Sequence, residues 1–255
     1  MLVFVIPVKS LQVSKSWNRL SKLFERCIKS VCNQTSPDFR VIVVCHEKPN
    51  TQFHHPHIQY IEVDFPPPNL DSASFGQARG SGDVDKAQKI LTGLAYADKF
   101  QPSHIMVVDA DDCVSKHLAE FINQNSQADG WYLQKGYIYE EGKNFIYLNL
   151  KNFNQSCGSS IIIKYSLYNL LFYDINYYDH NTHMLQNGIQ LKPLPFPGAI
   201  YSIKNEENQF MKREQTKQLK KKEGSLLFFI RKAIKYRPII LTKAIRNDFA
   251  LYSID

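Results

Sequence analysis

The chain has no run approaching the roughly 18 apolar residues that a membrane-spanning helix needs, and it contains no internal repeat. These absences exclude a helical integral membrane protein and a solenoid. Its five cysteines, Cys27, Cys32, Cys45, Cys113 and Cys157, are odd in number, and none are paired at metal-binding spacing. That excludes a disulfide framework and a zinc ribbon, and fits reduced thiols in a cytoplasmic protein. The opening stretch Met1 to Pro7 lacks a basic lead and a cleavage site, so it reads as a buried strand rather than a secretion signal. The phosphate-cradling glycine loop that many nucleotidyltransferases place after the first strand is also missing, since Pro7-Val8-Lys9-Ser10 stands there.

What is present is ordinary globular composition. Of 255 residues, 44% are hydrophobic and 22% charged, enough for one large domain with a sizeable core. Tyrosine (14) and phenylalanine (16) are plentiful; such rings fill cores and also serve as flat platforms for sugars. The net charge of +7 is uneven. Residues 211–246 hold 12 Lys and Arg against 2 Glu, so the rest is slightly acidic and the basicity belongs to the tail.

Residues 2–6, 39–45, 58–63 and 104–108 are apolar runs that read as strands. Residues 16–32 show helical spacing through Leu20, Leu23, Phe24, Cys27, Ile28 and Val31, and residues 83–100 read as a second helix. Residues 66–82, with Pro, Ser and Gly, are expected to form a long loop. Residues 115–124 read as a further helix with Ser115 as its cap. The alternation predicts an α/β fold, with helices on both faces of a mostly parallel sheet. Later in the chain, 131–139 and 144–150 suggest a hairpin, 159–163 and 198–203 strands, and 178–187 a helix closed by Gly188.

Asp109-Ala110-Asp111-Asp112 follows the strand His104–Val108, and ligands of open α/β sheets bind beyond such strand ends. Three carboxylates in four residues repel unless a cation or hydrogen-bond donors neutralise them. A hard cation, Mn²⁺ or Mg²⁺, takes one or two carboxylates and completes its shell with phosphate oxygens. An acidic turn capping the next helix is the structural alternative. An EF-hand is excluded because its Gly and distal Glu are missing.

Together these segments resemble family-2 glycosyltransferases of the GT-A fold, over about residues 1–210. The resemblance lies in Ile6-Pro7-Val8, in Leu20 through Gln34 with its Ser30-x-x-x-Gln34 ending, and in Val41 through Glu47. It continues in Val107-Val-Asp-Ala-Asp-Asp112 and in Gly198 through Asn208. It implies that Pro7, Val8, Asp109 and Ala110 contact the donor nucleotide and that Asp111, with Asp109, holds the metal, supported by Asp112. Where relatives carry paired Asp after the second strand, this chain has Cys45 and His46, so His46 or Glu47 is expected at the base or ribose. Where many relatives place a late-loop His, Lys204 stands, able to pair with phosphate but not to ligate metal while charged.

Arg79-Gly-Ser-Gly82 precedes a helix, whose start favours anions; the resemblance puts Lys86 toward the donor and Arg79 near phosphate. Tyr177-Tyr178-Asp179-His180 lies where relatives carry an acidic pair, which assigns Asp179 as the base and His180 as support. A plain helix cap is the alternative. His54, His55 and His57 read as a solvated loop.

Residues 211–255 are expected to form a basic, amphipathic helical extension. Leu226, Leu227, Phe229, Ile230 and Ile234 can share one face, flanked by Arg231, Lys232 and Lys235. Such a helix can lie on an anionic membrane, pack on the domain, or pack on a second subunit as a homodimer. No nucleic-acid reader motif accompanies the charge, so nucleic acid is not expected as a partner. The reading is a glycosyltransferase of the hexosyltransferase type, metal-dependent and inverting, moving a sugar from a nucleotide-diphosphate donor, a UDP-sugar in preference to a GDP-sugar, to a glycan or glycolipid in polysaccharide biosynthesis. It would be cytoplasmic, or peripheral on the inner face of the cell membrane. The rivals are a nucleotidyltransferase and an inactive binding module at the membrane.

Overall fold

The computed structural model describes residues 1–68, 75–180, 184–185, 188–207 and 236–254, with backbone alone at 75–79 and 173. β1 (Leu2–Pro7) and β2 (Phe39–Cys45) are apolar at nearly every position because both faces of their sheet are covered. Leu2, Phe4 and Ile6 face α1 (Trp17–Cys32) and α3 (Leu118–Gln124), while Val3 and Val5 face α2 (Phe75–Ala97).

The register is parallel from Leu2↔Phe39 to Pro7↔Val44. β3 (Ile58–Glu62) and β4 (His104–Val107) extend this parallel block on either side. β6 (Gly130–Tyr132), β9 (Ile161–Lys164) and β12 (Lys192–Pro193) complete the order β12-β6-β9-β4-β1-β2-β3, in which β9 runs against its neighbours. The mostly parallel α/β architecture is therefore present, with helices on both faces.

α1 starts where the Ser16 side chain accepts the Arg19 N–H, a cap worth about 1 kcal/mol. Its buried stripe, Leu20, Leu23, Phe24, Cys27, Ile28 and Val31, matters more, since each large apolar side chain removed from water contributes roughly 1.5–3 kcal/mol. α2 lies close against the sheet at Gly93, where a Cβ would stand 2.6 Å from Val5 Cγ1.

A second sheet runs β14-β8-β7-β13-β5, formed by Arg237–Ile240, Phe145–Asn149, Gly136–Glu140, Ala199–Ile203 and Cys113–Val114. α4 (Lys243–Phe249) follows β14 and is capped by Thr242. The core beneath joins Cys113, Tyr139, Ile146 and Ile200 to Leu241, Phe249 and Leu251. Arg26, fully buried, locks the two layers. It pairs with Glu141 at 2.9 Å and donates to Ser202 Oγ at 3.1 Å and to the Tyr252 carbonyl at 3.0 Å.

Several elements differ from the pattern expected of the sequence. α2 begins at Phe75, inside the expected loop 66–82. The helix expected from Ser115 begins at Leu118, and Ser115 instead donates to Asp248 at 2.9 Å. The expected hairpin arm 131–139 divides between the two sheets, so the hairpin is β7–β8. Of the helix expected over 178–187, residues 181–183 and 186–187 lie outside the described residues; Tyr178 itself belongs to β11 (Tyr177–Tyr178), which pairs antiparallel with β10 (Phe172–Asp174), and Met184 bridges Gln190. A Tyr-rich segment takes its pairing from chain neighbours that periodicity does not see.

Of the basic tail, the described part opens with β14 pairing β8 rather than with a helix. The apolar-basic stretch Leu226–Lys235 lies outside the described residues. Among the described residues no helix is long and apolar enough to cross a membrane.

Candidate active site

The carboxyl ends of β1 and β4 open into one cleft, and the acidic tetrad turns there with the Asp112 N–H on the Asp109 carbonyl at 3.0 Å. Its three carboxylates meet different partners. Asp112 is fully buried and accepts from Ser159 Oγ at 2.7 Å, the Ser202 N–H at 3.1 Å and Cys157 Sγ at 3.3 Å. Ser159 Oγ in turn accepts the Asp109 N–H at 2.8 Å. Asp111 accepts from Asn205 Nδ2 at 2.7 Å. Asp109 pairs with Lys86 Nζ at 2.5 Å, both side chains 27% exposed.

These surroundings order the acidities. Burial, then the neighbouring Asp111 and Asp109 charges, push Asp112 well above the usual carboxylate range. Burial and Asp109 also raise Asp111. Burial acts upward on Asp109 too, but the Lys86 ammonium, with a smaller contribution from His180, outweighs it and holds this carboxyl low. Lys86, which burial alone would lower, is raised by Asp109. Asp112 is thus a structural post, whereas Asp109 and Asp111 face the cleft.

Gly158 makes the arrangement possible. A Cβ there would lie 2.2 Å from Asp109 Oδ2 and 3.2 Å from Lys86 Nζ, so any side chain would displace the pair.

The remaining walls are Pro7, Val8 and Lys9 after β1, Leu20 and Leu23 on α1, Gly82, Asp83, Asp85 and Lys89 on α2, and Tyr177, Tyr178, His180, Tyr201 and Glu207. Lys9 forms an ion pair with Glu207 and donates to its carbonyl at 2.8 Å. Glu207 also accepts the Ser16 N–H at 2.8 Å, which anchors the loop after β13 onto the start of α1. Lys89 pairs with Asp85 at 2.7 Å, both buried.

The cleft therefore presents five carboxylates, on Asp83, Asp85, Asp109, Asp111 and Glu207, against three ammonium groups. That excess suits a cation. Among the described residues no three His, Cys, Asp or Glu side chains converge on one point. Asp109 and Asp111 are hard oxygen donors that would leave positions open for a ligand's own oxygens.

Of the residues expected from sequence, Pro7, Val8, Lys86, Asp109, Ala110, Asp111 and His180 line this cleft together. His46, Glu47, Lys204 and Asp179 are not among its walls. His46 meets the Phe65 carbonyl at 2.8 Å through Nε2, and Glu47 accepts the Leu11 N–H at 3.0 Å. Lys204, at φ 56°, reaches Glu140 at 3.1 Å. Asp179 sits beside the cleft-lining His180, with its N–H on the Leu171 carbonyl at 2.8 Å. The Arg79 side chain lies outside the described residues. Lys9, Gly158, Asn205 and Glu207 receive no individual role from the sequence; the signals for them are the place of Lys9 just past the first strand and that of Asn205 and Glu207 in the segment 198–208 that carries the resemblance.

No protein-family model matches the chain, and no curated protein matches it. Among solved structures, a crystal structure of S. aureus TarS 1–349 in complex with UDP is similar at 11% identity and a TM-score of 0.45, over 92% of this chain and 72% of that one. A second TarS 1–349 structure matches at a TM-score of 0.44 and 11% identity over 79% of this chain, which spans 60% of that chain's length. 2-C-methyl-D-erythritol 4-phosphate cytidylyltransferase (IspD) of Francisella tularensis is similar at 10% identity and a TM-score of 0.41, over 86% of this chain and 98% of that one.

Proposed function

We propose that the cleft binds a nucleotide-diphosphate sugar, with a UDP-sugar favoured, and that the protein transfers the sugar to a hydroxyl of a glycan or glycolipid. The observation that carries this reading is the meeting of Asp109 and Asp111 with Lys86 and Lys9 at the carboxyl ends of parallel strands. A diphosphate would be repelled by the carboxylate excess unless a cation entered with it. Asp111 and Asp109 would hold Mn²⁺ or Mg²⁺, which when bound offsets the charge developing on a diphosphate leaving group.

The chain's own residues supply the rest. Lys9 and Lys86 offer ammonium groups to phosphate oxygens, and Pro7, Leu20 and Leu23 form an apolar wall beside them. The acceptor's proton goes to the segment after β11, where Asp179 is the assigned carboxylate and His180 the cleft-facing group. Attack from the face opposite the departing diphosphate inverts the anomeric carbon.

A thermal-shift panel of nucleotide sugars with and without Mn²⁺ tests the reading, paired with product analysis. Stabilisation by a UDP-sugar and metal, together with slow release of UDP, is expected. Asp111→Ala is expected to abolish the metal-dependent part of the shift. A full shift in that variant would remove the metal assignment. Pyrophosphate released from a nucleoside triphosphate would replace the reading with nucleotidyl transfer, and binding without turnover would replace it with a binding module.

A further inference from the structure

Lys86 stands where an external cation would be expected to work. Its ammonium touches Asp109, and the Asp112 and Asp111 charges also act on it. It is delivered by α2, a helix held rigidly against the sheet at Gly93, and the space it occupies is kept open by Gly158. The other two cleft ammonium groups lie elsewhere, Lys9 on Glu207 and Lys89 on Asp85. Asp109 therefore already has a full positive charge on one oxygen, while the Asn205 amide donates to Asp111.

We propose that Lys86 is the resident cation of the site, and that it and a divalent metal hold Asp109 in turn. In this arrangement the metal meets a carboxylate that is already neutralised and binds weakly by itself. When a diphosphate arrives, Lys86 exchanges Asp109 for a phosphate oxygen, freeing the carboxylate for the metal. Metal and nucleotide consequently bind far better together than apart. This rests on the reading of the cleft as a nucleotide-diphosphate site. It adds that Lys86 couples the two ligands, a positioning role beyond a simple phosphate contact. Reciprocity requires the same coupling factor whichever ligand is added first.

The test is Mn²⁺ binding to the full chain, followed by electron paramagnetic resonance without nucleotide and then with UDP. Removing a unit charge in contact with Asp109 is expected to tighten nucleotide-free Mn²⁺ binding in Lys86→Met by about tenfold or more. The gain of affinity on adding UDP should shrink by a similar factor. Lys86→Arg, which keeps the charge, should behave like the unaltered protein.

Lys29→Met controls for net charge, because Lys29 carries the same charge but pairs with Glu25 and is no part of the cleft walls. An unchanged Mn²⁺ affinity in Lys86→Met, with its melting temperature retained, would overturn the exchange. So would an equal tightening in Lys29→Met. Absence of Mn²⁺ binding in every variant, with UDP present, would instead sink the nucleotide-diphosphate reading and this inference with it.

Discussion

What a carboxylate can do depends on what its oxygens meet, and the aspartates after β4 meet different partners: Asp112 buried hydrogen-bond donors, Asp109 the Lys86 ammonium and Asp111 the Asn205 amide. The cluster itself is legible in the sequence, as a buried apolar run followed at once by Asp109, Asp111 and Asp112. The division is not legible, because it is imposed from far along the chain. Ser159 and Ser202 fix Asp112, Asn205 fixes Asp111, and Lys86 fixes Asp109. The same holds for the base. Asp179 was chosen by resemblance, yet His180 is the member of that pair on the cleft wall. Asp179→Asn is expected to keep donor binding and lower transfer by about 100-fold or more. Near-normal transfer in that variant, with the loss appearing in His180→Gln, would move the role to the imidazole.

Elements with continuous apolar runs or a clean 3.6-residue stripe were readable from sequence, as β1, β2, β4 and α1 show. Elements whose identity depends on partners were not. β10 and β11 are short, and β14 is defined by its pairing with β8. Arg26 belongs to this scale, since a charge in the middle of an apolar helix face makes sense only once Glu141 is beside it. Both side chains are almost fully shielded, at 0% and 3% exposure. Removing one partner strands the other, so Arg26→Ala is expected to cost about 3–5 kcal/mol. Urea denaturation measures this, and a loss below about 1 kcal/mol would show the pair to be dispensable.

For the molecule as a whole, residues 236–254 are built into the second sheet and its core. Leu241, Phe249 and Leu251 are buried there, and Asp248 holds Ser115 and the Lys116 N–H just past the acidic tetrad. Deleting residues 236–255 would bare the edge of β8 and these apolar side chains. Loss of a single cooperative melt, or aggregation, is expected. A truncated protein melting like the full chain would show that this layer contributes nothing.

The clasp at Arg26 also bears on how the chain reaches its folded form. Its guanidinium is met by groups 176 and 226 residues further on. Contacts so distant in sequence close late and slowly. A nascent chain still short of Tyr252 would hold its first helix with that cation only partly matched.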